Sequence, residues 1–154
     1  MKYAVVTGAS SGIGKAIATK LAREGYFVFI TYKSNLKGAN ETLQSIKTVS
    51  DGMSLCLDLQ SSESIQQFIK DVRTTTKNLE VLVNNAAITG DLVDYFSASF
   101  DDIAHVVNTN ITGTFLLTQK LIPLLKESQA SFIINIGYVY PFAVVFWGGE
   151  IKCG

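Results

Sequence analysis

Apolar residues fall along this chain in two alternating rhythms. Short runs with little polar interruption cover Tyr3–Thr7, Phe27–Thr31, Met53–Leu57, Leu79–Val83 and Ser131–Ile136. Runs this short and this apolar predict strands buried on both faces. Longer stretches with helical spacing lie between them. Gly12–Glu24 carries Ile13, Ile17 and Leu21 four residues apart, which places them on one helix face, and Gly25 follows as a stop. Leu36–Ser50 reads as a second helix. Ser61 is placed to cap a third, in which Ile65, Phe68, Ile69 and Val72 form an i, i+3, i+4, i+7 stripe. Residues 89–107 mix loop and helix, and Asn108–Glu127 reads as one long helix with Pro123 near its far end. Strands joined by helical crossovers run parallel, so the pattern predicts a doubly wound α/β sheet.

The rhythm holds through residue 137. Residues 138–154, YVYPFAVVFWGGEIKCG, combine aromatics and glycines without a clear period. The chain therefore divides into a sheet domain over 1–137 and a divergent or truncated tail over 138–154, with the sheet expected to be incomplete at its C-terminal end. Its 154 residues, 47% hydrophobic and 17% charged, suit one core rather than two. Thirteen basic residues balance thirteen acidic ones, which removes the electrostatic reason to expect nucleic acid or an anionic membrane as partner. Cys56 lies in an apolar run and is expected to pack as a small hydrophobe. The single histidine, His105, excludes a His-rich zinc site. The start, MKYAVVTG, reaches a glycine turn too early for a signal peptide, and no apolar stretch is long enough to span a membrane. A cytoplasmic protein is the expectation.

The first strand runs into Gly8-Ala9-Ser10-Ser11-Gly12-Ile13-Gly14, where a helix opens. Gly8 permits a tight turn, Gly12 lets backbone approach a pyrophosphate without a Cβ in the way, and Gly14 permits close helix–sheet packing. A helix N-terminus offers unpaired N–H groups and the positive end of its dipole to phosphate. Three glycines in a turn can serve packing alone; their place between a first strand and an amphipathic helix is what points to a dinucleotide.

With Thr7 and Ile13, the turn reads T-G-x-x-x-G-I-G and resembles the short-chain dehydrogenase/reductase family. Further segments extend the resemblance in the right order. Leu82-Val83-Asn84-Asn85-Ala86-Ala87 is similar to the family's N-N-A-G motif, with Ala87 in the glycine place. Asp58 matches its adenine-contacting acid, and Asn110 matches the asparagine of its catalytic tetrad. Asn84 to Thr89, followed by Gly90-Asp91, looks like the 3-oxoacyl-(acyl carrier protein) reductase branch. The resemblance implies a Rossmann-like sheet of order 3-2-1-4-5 and an oxidoreductase acting on a carbonyl or alcohol. It implies cofactor contacts from Gly8, Ser10, Ser11, Gly12, Ile13 and Gly14, then Tyr32, Lys33 and Ser34, then Asp58 and Leu59, and lastly Asn85, Ala86 and Ala87. Plainer roles stand beside these. Asn84 and Asn85 can tie strands together, Asp58 can be an ordinary loop acid, Asn110 can cap or bend a helix, and His105 can be a solvated helix residue.

Where the second strand ends, an acid would bind the adenosine ribose hydroxyls and repel a 2′-phosphate. This chain has Thr31-Tyr32-Lys33-Ser34 there, so NADP(H) is favoured over NAD(H). The family's Y-x-x-x-K is absent. Tyr138 stands where its serine would be, and Cys153 stands where its tyrosine would be. The 154 residues are therefore expected to be catalytically inactive. Two other readings are a non-catalytic dinucleotide-binding or regulatory partner of an intact homologue, and a truncated product without function. Self-association or pairing with such a homologue is a further expectation.

Overall fold

The structure is a computed structural model that describes residues 1–89 and 98–137. Its elements run in the order β1 (Lys2–Val6), α1 (Gly12–Arg23), β2 (Tyr26–Tyr32), α2 (Leu36–Lys47), β3 (Gly52–Cys56), α3 (Ser62–Thr75), β4 (Val81–Asn84) and α4 (Phe100–Val107). A π-helical turn (Asn108–Gly113), α5 (Thr114–Lys126) and β5 (Phe132–Asn135) follow. The strands form one parallel sheet of order β3-β2-β1-β4-β5, as a doubly wound fold requires.

Alternation along β1 shows how the sheet is filled. Val5 faces one side with Phe29 and Leu82, where Ile65, Phe68 and Val72 of α3 and Leu117 and Leu121 of α5 close the layer. Ala4 and Val6 face the other side with Val28, Ile30 and Val83, against Ala18 and Ala22 of α1 and Ala39 and Ile46 of α2. The period of two puts successive side chains into opposite cores, so a central strand must be apolar throughout. The α3 stripe is buried as its spacing predicts, and Ser61 Oγ accepts the Ser64 N–H at 3.1 Å, capping the helix.

Four expectations change. On α1 the fully buried positions are Gly14, Ala18 and Ala22, with Ile17 and Leu21 packed half-buried against the same cluster, while Ile13 is 63% exposed. Small residues let this helix lie close to the strands, and of the larger stripe only Ile13 turns to the surface. Cys56 is exposed instead of packed, because it is the last residue of β3, which lies at the end of the strand order. The strand β5 is exposed along its whole length among the described residues, not buried on both faces. Finally, the long helix over 108–127 opens with a π turn. The backbone carbonyl of Leu59 presses so close to Gly113 that a Cβ there would stand 2.1 Å from it. Gly113, the last residue of this π turn, is where the helix meets the loop after β3.

Candidate functional site

The residues singled out from the sequence gather at the C-terminal ends of the strands. That is where ligands sit in open α/β sheets, beside the point at which strand order reverses between β1 and β4. Gly8 and Gly12 both adopt positive φ, +64° and +54°, so L-residues with side chains would be strained at either place. The two differ in surroundings. A Cβ on Gly8 would stand 2.9 Å from Ala86 Cα, whereas one on Gly12 would meet nothing within 4 Å. Gly8 thus serves the fold, and Gly12 leaves a bare backbone surface open to a ligand. Gly14 is a packing position, since a Cβ there would lie 2.5 Å from both the Gly8 carbonyl and Asn85 Nδ2.

The loop is held by hydrogen bonds that the motif alone does not reveal. The Gly8 N–H donates to Thr31 Oγ1 at 3.1 Å and the Ala9 N–H to the Thr31 carbonyl at 2.9 Å. Thr7 Oγ1 accepts the N–H groups of both Asn85 and Ala86 at 2.9 Å. Asn85 Nδ2 in turn donates to the carbonyls of Thr7 and Gly8 at 2.9 and 3.1 Å. The first amides of the loop are therefore spent on the fold. Those of the first turn of α1 are not: Ser11, the N-cap, makes no side-chain capping bond, and the turn carries no acid. The result is a positive helix end with unpaired donors beside a glycine that leaves room, a combination that fits a pyrophosphate.

The ends of β2 and β3 carry the remaining polar groups. Lys33 Nζ lies 2.9 Å from Asp58 Oδ2. The other carboxylate oxygen of Asp58 accepts the Gln60 N–H at 3.0 Å. Partial burial works to raise the Asp58 pKa. The Gln60 amide and the Lys33 ammonium outweigh it, with a contribution from His105, and hold the carboxyl below the ordinary aspartate value. Tyr32 is half-buried; Lys33, Ser34 and Ala87 are exposed, and Asn85 and Ala86 lie between. Leu59 is 6% exposed and belongs to the same buried cluster as Leu117 and Leu121, so its side chain is committed to the core.

Asn110 lies in the π turn. Its Oδ1 accepts the Ile88 N–H at 2.9 Å and its Nδ2 donates to the Ile88 carbonyl at 2.8 Å. This two-point clamp fixes the segment after β4 to the wide part of the helix. Gln60 Nε2 lies 2.8 Å from His105 Nδ1 and also bonds Thr109 Oγ1, so His105 is linked to the loop after β3. Asn84 Nδ2 reaches Thr118 Oγ1 and Asn135 Oδ1, which ties β4 to α5 and β5. Sequence reasoning misses Ile88 and Gln60, and it takes Thr7 and Thr31 only as members of their motifs, without the hydrogen bonds they make. Their hydroxyls at the ends of two apolar strands are the readable signal for that role. Tyr138 and Cys153 lie outside the described residues. No helix among the described residues is long and apolar enough to cross a membrane.

The short chain dehydrogenase family model matches residues 2–147. The 3-oxoacyl-[acyl-carrier-protein] reductase FabG of Staphylococcus aureus is 36% identical over 141 residues, covering 90% of this chain and 56% of that protein. Glucose 1-dehydrogenase 2 of Bacillus subtilis is 34% identical over 141 residues, covering 90% and 55%. Among solved structures, a metagenomic short-chain oxidoreductase in complex with NADP superposes with a TM-score of 0.82 at 28% identity, over 90% of this chain and 63% of that one. A short chain dehydrogenase of Burkholderia cenocepacia, also in complex with NADP, gives 0.80 at 28% identity, over 88% and 55%. The chain thus spans a little over half the length of the curated relatives it matches.

Proposed function

This chain belongs to the short-chain dehydrogenase/reductase family, and we propose that residues 1–137 are the NADP(H)-holding part of an oxidoreductase for carbonyls or alcohols. The observation that carries this reading is the open backbone at Gly12, at φ +54°, beside the uncapped first turn of α1. In this reading the pyrophosphate rests on the amides of Ser11 to Gly14, with Ser10 at the loop's shoulder. Tyr32, Lys33 and Ser34 border the adenosine ribose, Asp58 the adenine, and Asn85, Ala86 and Ala87 the floor beyond. A bound nicotinamide supplies or accepts the hydride. Lys33 and Ser34, with no acid at the end of β2, support NADP(H) over NAD(H), in keeping with two relatives solved with NADP. The likeness to 3-oxoacyl-[acyl-carrier-protein] reductases supports a 3-oxoacyl thioester as the substrate class.

Turnover needs more than this cradle. Protonating a developing alkoxide requires an acid within hydrogen-bond reach, and the sequence contains no Y-x-x-x-K to provide it. Asn110 alone matches the family's tetrad. The 154 residues as they stand are therefore proposed to bind cofactor without catalysing, as a dinucleotide-binding module able to associate with itself or with an intact homologue. Calorimetric titration with NADPH and NADH tests the first half: NADPH binds more tightly, and equal affinities refute the preference. Following NADPH absorbance with a 3-oxoacyl thioester tests the second. Steady oxidation that Asn110→Ala abolishes would overturn the claim of inactivity.

A further inference from the structure

Lys33, the one cation among Tyr32, Lys33 and Ser34, already has an anionic partner. Its Nζ is 2.9 Å from Asp58 Oδ2, across the ends of two neighbouring parallel strands. The two partners are not equally free. The Asp58 side chain is 32% exposed and that of Lys33 56%. Asp58 is anchored twice more, by the Gln60 N–H on its second oxygen and by its own N–H donating to Ser64 Oγ at 2.9 Å. The strand ends themselves are locked, with the Leu57 N–H donating to the Tyr32 carbonyl at 2.8 Å. A fixed carboxylate thus holds a movable ammonium. A 2′-phosphate arriving at Lys33 must either take the ammonium from Asp58 or share it with a like charge close by.

Resting on the NADP(H) reading above, we propose that Asp58 is a selectivity residue: it restrains Lys33 and thereby lowers the preference of this site for a 2′-phosphate over a bare ribose. The role is separate from any contact with adenine, which both cofactor types share. Releasing Lys33 strengthens only the ligand that carries the phosphate. The pair is partly solvated, so the effect is modest, about two- to fivefold.

The test uses the full chain and the fragments 2′,5′-ADP and 5′-AMP, titrated by calorimetry into wild type, Lys33→Ala, Asp58→Asn and the double variant. Asn at position 58 keeps the oxygen that accepts the Gln60 N–H, so the loop retains its turn. The expected result is that Asp58→Asn raises the 2′,5′-ADP to 5′-AMP affinity ratio about two- to fivefold. Lys33→Ala in the Asp58→Asn background removes that gain, and it costs more selectivity there than in wild type. Equal changes for both ligands would show that Asp58 acts on adenine alone and overturn the proposal. An undiminished gain in the double variant would assign the effect to repulsion between Asp58 and the phosphate, without Lys33, and also overturn it. If neither fragment binds wild type or any variant, the dinucleotide reading itself fails and the proposal falls with it. Binding with an unmoved ratio removes only the proposal.

Discussion

At the centre of the sheet Val5, Val6, Val28, Phe29 and Ile30 are fully buried, whereas at the β5 edge Phe132 is 62% exposed and Ile133 and Ile134 are each 44% exposed. The helices follow the same division. The glycine-loop helix α1 buries Gly14, Ala18 and Ala22 against the strands, while α4 buries no residue and α5 leaves Phe115 71% exposed. The proposed cofactor cradle thus sits on a part of the molecule whose interior is filled by its own neighbours. The part that carries Asn110 packs Leu117, Leu121, Leu124 and Leu125 into the core on one side and shows Ile111, Phe115 and β5 to its surroundings on the other. The difference teaches that the two halves of the proposed site rest on structurally unequal supports: the glycine loop sits against a filled core, and Asn110 lies in a π turn next to exposed apolar residues.

The comparison breaks most readily at Gly113. A Cβ there would stand 2.1 Å from the Leu59 carbonyl and 2.8 Å from its carbonyl carbon, both backbone atoms that cannot swing aside. Gly113→Ala is expected to cost more than about 3 kcal/mol, or a fall of roughly 6–12 °C in Tm by circular dichroism. An unchanged melt would mean that the π turn relaxes freely. On the cradle side, Thr7→Val keeps shape and strands the N–H groups of Asn85 and Ala86. The expected loss is about 2–4 kcal/mol in a chemical denaturation series, with Thr7→Ser restoring most of it. If Val is as stable as Thr, those amides have found other partners and the cradle is less tightly specified than described.

Asn110→Ala sharpens the contrast more gently. It releases both backbone groups of Ile88, for about 1–2 kcal/mol. Hydrogen exchange is expected to accelerate at Ile88 while the amides of Gly8 and Ala9, bonded to Thr31, keep their protection. Equal acceleration in both places would show the two regions to be one cooperative unit. The smallest effect on stability is expected from Phe115→Ser combined with Phe132→Thr, within about 0.5 kcal/mol for each exposed position. The same pair should reduce self-association in size-exclusion chromatography with light scattering, since an exposed apolar edge strand invites pairing. A chain that is monomeric at all concentrations before substitution would refute that use of the surface.

Much of this was legible from residue order. The alternation of apolar runs and helical stripes is dictated by where a parallel strand and its crossover helix must bury side chains, so element order and the sheet's class could be read directly. The Ile65, Phe68, Ile69 and Val72 stripe and the Ser61 cap fell where expected, because both depend on spacing within a few residues. The T-G-x-x-x-G-I-G turn and the Asn84-Asn85 pair are visible for the same reason: each is a set of particular residue types at fixed local offsets.

What the order of residues could not decide depended on distance through space. On helix α1 the spacing marks Ile13, Ile17 and Leu21, and only the approach of the sheet makes Gly14, Ala18 and Ala22 its fully buried positions. Cys56 read as core until β3 took the edge of the sheet. The partnership of Thr7 with Asn85 spans 78 positions, and that of Lys33 with Asp58 crosses between strand ends, so no local pattern announced either. Short-range rules determine which elements form and which loop can hold a phosphate. Close packing then determines which backbone amides remain unpaired and which charge is already answered, because those depend on neighbours that only the folded chain brings together.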